Sequence, residues 1–248
     1  MARLDRHQYL MHIGYDGSRF FGVVPQRHGP TVASALRARL ELATDQRAGA
    51  LNFTARTDRG VWAEQNFATC WFLPPFDPVA FELEVERPRD DGLFNVKAER
   101  TGFHTHARNV GAGKWYRYRV RTDGAVDDRC WAVSRPLDMA SIVALASAFV
   151  GTHDFRAYRF KCGAPDTRKT LSRVEVQPFE GGFDVHIEGD GFLRQMVRKL
   201  VSVMVLVGLG EYELDRAIHL LESAADKGTP KAAPPEGLTL MAIRRAQT

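Results

Sequence analysis

Short apolar runs bounded by turn residues alternate along this chain with longer runs at helical spacing. Residues 8–15 read as a strand closed by the turn Asp16-Gly17. Residues 31–44 read as a helix, because Val32, Ala35, Leu36, Leu40 and Ala43 follow helical spacing and Thr31 stands at the N-cap position after Pro30. Residues 51–57 and 65–72 read as strands on either side of Asp58-Arg59-Gly60. Residues 78–86 read as a short helix and 93–99 as a strand.

A similar order then recurs. Residues 115–121 read as a strand, 138–150 as a helix, and 170–177 and 183–188 as strands joined by Glu180-Gly181-Gly182. Residues 193–209 form a long apolar helix pattern, with Met196, Leu200, Val203 and Val207 as core positions. A helix over 213–224, a loop over 228–237 and a strand over 240–244 complete the chain. Both halves therefore read β-α-β-β-α-β. The expected fold class is α+β: two ferredoxin-like (RRM-like) halves with antiparallel sheets, helices on one face, and a central active cleft. The expected division is 1–105 and 106–248, with a linker over 101–113.

Composition removes several classes. At 248 residues, 44% hydrophobic and 26% charged, the chain is ordinary for a globular protein. The longest apolar run, 200–209, is about half of the roughly 20 residues a spanning helix needs, and the start lacks a signal-peptide core. A cytoplasmic protein is expected. Cys70, Cys130 and Cys162 are too far apart for a zinc spacing and odd in number for a disulfide framework. His104 and His106, two apart with no carboxylate or thiol cluster beside them, give no metal set.

Charge adds a location. Lys and Arg number 34 against 30 Asp and Glu, a formal +4. The excess lies in residues 101–210, where sixteen basic face eleven acidic side chains. Basic residues alternate there with aromatics, as in Lys114-Trp115-Tyr116-Arg117-Tyr118-Arg119 and Phe155-Arg156-Ala157-Tyr158-Arg159-Phe160-Lys161. Such interleaving suits a single-stranded RNA surface, since cations hold phosphates and rings stack on bases. The same alternation also describes a strand with one packed and one solvated face.

The sharpest local feature is Phe53-Thr54-Ala55-Arg56-Thr57-Asp58-Arg59-Gly60-Val61-Trp62-Ala63. On a strand, Arg56 and Asp58 point to the same face, so the arginine keeps the carboxylate ionised and oriented. An ionised carboxylate at a strand end is a candidate nucleophile or general base; Asp before Gly is equally an ordinary turn.

The segment Ala55 to Ala63 resembles the G-R-T-D-x-G-V-H-A signature of the tRNA pseudouridine synthase A family. Further blocks resemble the family in its own order: Gly14-Tyr15-Asp16-Gly17 onward to Gly22, His106-Ala107-Arg108 with Tyr116-Arg117-Tyr118, Gly151-Thr152-His153-Asp154-Phe155, Phe192 to Arg198 ending Met196-Val197-Arg198, and Gly237-Leu238-Thr239-Leu240. The resemblance implies isomerisation of uridine to pseudouridine in the anticodon arm of tRNA, by a homodimer, with no cofactor and no metal. It implies that Asp58 is the catalytic aspartate, as nucleophile or base. Arg56 takes the place of its arginine partner, Tyr116 of the ring that stacks on the target base, Arg198 of a cleft arginine, and Leu238 of an apolar residue against the uracil. Three positions depart from the family pattern: Trp62 for His, Ala55 for Gly, and Val23 where a Trp-Gln pair normally follows Gly22. The alternatives are a catalytically silent RNA-binding protein on this fold and a synthase with a different RNA target.

Overall fold

The computed structural model describes residues 6–73, 77–102, 104–125, 127–160, 166–222 and 229–246. Lys161, Cys162, Ser223, Ala224 and Gly228, which figure in the sequence patterns above, lie outside the described residues. The chain forms two compact units, Met1–Ala112 with Leu240–Thr248, and Gly113–Thr239.

The first unit runs β1 (His7–Tyr15), α1 (Val32–Thr44), β2 (Asn52–Phe53), β3 (Trp62–Phe72), α2 (Pro78–Glu86), β4 (Leu93–Thr101) and a single turn, α3 (Ala107–Val110). Its strands lie in the order β4–β1–β3–β2, every neighbour antiparallel. That is the ferredoxin-like order, in which each crossover helix joins strands that flank a third.

Local chemistry sets these elements. Thr31 and Ser34 form a reciprocal capping box: Ser34 N–H donates to Thr31 Oγ1 at 3.1 Å, and Thr31 N–H to Ser34 Oγ at 2.8 Å. Asp77 caps α2, with Pro78 opening the helix. The helices pack on each other and on β4, burying Leu36, Leu40, Phe81 and Val85. Arg39, 4% exposed, is neutralised in this core by two 2.8 Å hydrogen bonds to Asp91.

The second unit holds most of β5 (Gly111–Arg121), then β6 (Trp131–Ala132), α4 (Met139–Ala148), β7 (Gly151–Asp154), β8 (Arg168–Phe179), β9 (Gly182–Gly189), α5 (Met196–Gly208), α6 (Leu214–Glu222) and the start of β10 (Leu238–Arg245). The order is β5–β9–β8–β7, again antiparallel, with the start of β10 on the other side of β5. The α+β class with two β-α-β-β-α-β halves is therefore met.

Four differences from the sequence reading have local causes. The strand expected over 51–57 is only Asn52–Phe53, because β2 and the 240–245 part of β10 share one edge of β3. The helix expected from 193 begins at Met196, since Gln195 takes a left-handed φ of 59°. The helix expected to reach 150 stops at Ala148, and β7 pairs with β8 directly after it. The expected linker over 101–113 carries α3 and the beginning of β5.

Candidate active site

Asp58 sits in an irregular loop between β2 and β3, half-buried, with Arg56 and Arg59 exposed. The same-face argument for Arg56 and Asp58 therefore fails: neither residue is on a strand. The loop is held by a buried polar group. Asn66 on β3 is fully buried; its Oδ1 accepts from Ala55 N–H at 3.2 Å and its Nδ2 donates to the Ala55 carbonyl at 2.9 Å. These bonds stand where the next rung of the β2–β3 ladder would be, so the chain leaves the sheet with its polar groups satisfied. Asn66 Nδ2 also donates to the Tyr15 hydroxyl at 3.2 Å, which shares a 3.0 Å hydrogen bond with Thr57 Oγ1. Burial pushes the Tyr15 phenol up to about 12, so it stays neutral and hydrogen-bonding over the physiological range.

The other side of the loop rests on backbone. Val23 N–H donates to the Thr57 carbonyl at 3.3 Å. Gly22, at φ 93°, lies so close that a Cβ there would stand 3.0 Å from Thr57 O and 3.4 Å from Arg59 N. Only glycine fits that backbone and that approach. Val61 N–H closes the turn onto the Asp58 carbonyl at 3.3 Å, and the Arg59 guanidinium lies 4.1 Å from the Phe21 ring centroid. The three departures, Val23, Ala55 and Trp62, are all buried around this loop. Asn66 has no place in the sequence motifs, and Tyr15 and Thr57 stand in them without a role of their own. Nothing in a β-type run distinguishes a buried asparagine from a solvated one.

In the second unit, Tyr116 is 8% exposed on β5 and meets Phe192 edge-on, with ring centroids 5.0 Å apart. Tyr118, two residues on and on the same face, is fully buried, and its hydroxyl donates to the Pro234 carbonyl at 2.7 Å. Arg198 lies in the first turn of α5. Its Nε donates to the Ala233 carbonyl at 2.7 Å, while Ala233 N–H donates to the Arg198 carbonyl at 3.0 Å. Lys199 Nζ holds Thr229 Oγ1 at 2.9 Å and the Pro230 carbonyl at 3.1 Å; burial lowers its pKa. Leu238, 6% exposed, follows at the loop's end, with its N–H on the Pro235 carbonyl at 3.0 Å. The segment 229–238 is thus a loop anchored by Arg198, Lys199 and Tyr118, with Leu238 at its end.

The basic-aromatic runs resolve differently from one another. Along β5, Tyr116, Tyr118 and Val120 are the packed face. Arg119 makes two hydrogen bonds to Asp184, at 2.9 and 2.8 Å, and Arg121 pairs with Asp123. Arg173 pairs with Glu175 and Glu188. Several of these cations are therefore paired inside the second unit, and strand periodicity accounts for the alternation along β5. Arg194, by contrast, stacks 4.5 Å over Phe160, which is 44% exposed.

Cys70 and Cys130 are buried free thiols, and burial pushes Cys70 up to about 12. Among the described residues no group of three His, Cys, Asp or Glu side chains could hold a metal ion, and no helix is long and apolar enough to cross a membrane.

A family model described as tRNA pseudouridine synthase matches residues 145–244. The chain is 30% identical over 239 residues to tRNA pseudouridine synthase A of Acetivibrio thermocellus, covering 93% of this chain and 96% of that one. It is 33% identical over 242 residues to tRNA pseudouridine synthase A of Staphylococcus aureus, covering 94% and 90%. Among solved structures, it is similar to a chain of a Cbf5-Nop10-Gar1 complex at a TM-score of 0.37 and 16% identity, over 77% of this chain and 45% of that one. Near-complete coverage at this identity fits the ordered motifs and the paired ferredoxin-like halves: the chain belongs to the tRNA pseudouridine synthase A family, isomerases that act on tRNA.

Proposed function

We propose that this synthase isomerises uridine in the anticodon arm of tRNA, as a cytoplasmic homodimer, with Asp58 acting on the ribose. The observation that carries the reading is Asp58 itself: a half-buried carboxylate on a loop fixed by Asn66, Tyr15 and Gly22. Cleaving the N1–C1′ bond builds positive charge on the sugar. A carboxylate meets it by bonding to C1′ or by taking the C2′ proton. The freed uracil then bonds to C1′ through C5; N1 ends with a proton and C5 loses one to solvent.

The remaining roles are those the family resemblance implies, and the side chains suit them. Tyr116 supplies a ring for the target base to stack on, and Leu238 an apolar wall. Arg56, exposed two residues from Asp58, and Arg198, held at Nε by Ala233, take the cation roles that the family resemblance gives them.

The test is release of tritium from tRNA labelled at uracil C5. Wild-type protein releases it and the Asp58→Ala variant does not. Tight tRNA binding without release over a broad tRNA pool overturns the reading. Mapping the modified uridines checks the anticodon-arm assignment.

A further inference from the structure

A pocket of about 170 Å³ lies in the first unit, away from the Asp58 loop's supports. Strands β1, β2 and β3 and the segment before α3 form its walls, through Arg6, Gln8, Asn52, Trp71, His104 and His106. It is smaller than the roughly 300 Å³ floor of drug-sized sites, and suits one flat ring with a polar edge.

Its lining has a consistent chemistry. Trp71 is half-buried, and its indole lies so close against Gly49 that a Cβ there would collide with the ring. Gly49 N–H donates to the Trp71 carbonyl at 3.1 Å, which holds the glycine backbone beside the ring. The Arg6 guanidinium lies 4.4 Å from the ring centroid, adding a planar cation. With Gly49 and Arg6 both packed against the indole, the guanidinium of Arg6 supplies the plane on which a base can stack. Gln8 is 8% exposed, and its side-chain amide donates to the Thr105 carbonyl. That leaves its carbonyl oxygen as the acceptor on this wall. Asn52, half-buried opposite Thr69 on β3, offers a donor and an acceptor side by side. His106 Nδ1 accepts from Arg108 N–H at 3.2 Å, so in the neutral ring the proton sits on Nε2 as a donor. No carboxylate lines the pocket among the described residues.

We propose that this pocket binds one nucleobase with its adjacent phosphate, by stacking and charge at the Arg6 guanidinium that Trp71 supports and by edge hydrogen bonds with Asn52 and His106. Resting on the synthase reading, the ligand is a single-stranded tRNA nucleotide near the target uridine. The chain itself limits how far away. Asn52 and Asp58 are six residues apart, at most roughly 20 Å of extended backbone. Thr54 Oγ1 donates to the Ala107 carbonyl at 2.6 Å, tying the start of the Asp58 loop to the segment that carries His106. A nucleotide held here anchors the strand within a few nucleotides of Asp58.

The test uses full-length protein and two arms, with melting temperature confirming that Asn52→Asp and His106→Ala are folded. In the first, filter binding measures tRNA affinity. Each variant is expected to bind about tenfold more weakly, the loss of one stacked, hydrogen-bonded base. In the second, uridine monophosphate and inorganic phosphate are titrated against tryptophan fluorescence, with Trp71→Phe as the signal control. Weaker tRNA binding without a response to the mononucleotide assigns the pocket to RNA in a strand. A response to the mononucleotide that Asn52→Asp abolishes assigns the same chemistry to a free nucleotide as well. Unchanged tRNA affinity in both variants together with no mononucleotide response overturns the inference. Absence of tritium release from wild-type protein, with variant-sensitive binding intact, sinks the synthase reading alone.

Discussion

Asn66 and Ala55 are joined by two hydrogen bonds through a single side chain, 3.2 Å from the Ala55 amide to Oδ1 and 2.9 Å from Nδ2 to the Ala55 carbonyl. Phe67 N–H adds a third contact to Oδ1 at 2.8 Å, and Nδ2 also reaches Tyr15. One buried amide therefore ends β2 and begins the loop that carries Asp58. It does so with all of its own donors used.

Replacing Asn66 with Ala leaves the Ala55 amide and carbonyl buried without partners. The expected loss is about 2–3 kcal/mol of stability, read as the urea midpoint. Activity should fall further than stability does, by about a hundredfold in tritium release at a temperature where the variant is still folded, because the Asp58 loop loses its register. Full activity in a folded Asn66→Ala protein would separate this amide from the chemistry.

Tyr15 links the same amide to Thr57, and its pH dependence has a definite sign. Burial raises the phenol from 10.0 to about 12. The contribution is fully present below pH 10 and is lost as pH rises towards 12, because the unfolded chain releases the proton first. Wild-type stability should fall across that window, with Tyr15 contributing about 2–3 kcal/mol of the decline. Tyr15→Phe removes that part of the slope. At neutral pH the variant should be about 1 kcal/mol less stable, since Asn66 keeps a donor with nothing to meet it.

The ferredoxin-like halves were legible because their evidence is periodic. Helical spacing from Val32 to Leu40 and the strand of 8–15 each say locally what the fold repeats globally. The Asp58 loop was legible as a motif but not as a geometry. Residues 54–57 have no local reason to leave an extended strand; the edge of β3 is shared with β10, which lies nearly two hundred residues further along the chain. The role of Asn66 follows from the same long-range event. The basic-aromatic run along β5 leaves two readings open in sequence for a related reason: Asp184, the partner of Arg119, lies on β9, more than sixty residues further along the chain.

The 229–238 loop rests on Tyr118 as much as on Arg198. Tyr118→Phe removes the 2.7 Å bond to Pro234 while leaving the ring in place. The expected cost is about 1 kcal/mol, and it should be local. Amide exchange of residues 236–238 should speed up relative to β5, and the apparent affinity for tRNA should weaken through the displaced Leu238. Unchanged exchange in this segment would show that Arg198 and Lys199 hold the loop without the tyrosine.

Acid should weaken the first unit at one identifiable cluster. Arg245 near the C-terminus makes two hydrogen bonds to Glu99, at 3.0 and 2.9 Å, and His12 Nε2 meets the same carboxylate at 2.9 Å. The arginine bonds chiefly, and the histidine bond after them, hold the Glu99 carboxyl below its ordinary 4.5. A carboxylate lowered on folding stabilises the protein above that value and loses its contribution as pH falls through the folded pKa. Glu99 is 41% exposed at its side chain, so solvent screening keeps the effect under about 1 kcal/mol. Glu99→Gln should therefore lower the urea midpoint slightly at pH 7. It should also flatten the acid limb below pH 4.5, bringing variant and wild type together there. Raising salt should shrink the neutral-pH difference as well, since the pair is exposed. A gap between the two proteins that persists in acid and in high salt would mean that the glutamate acts through packing on β1 and β4 instead of through its charge.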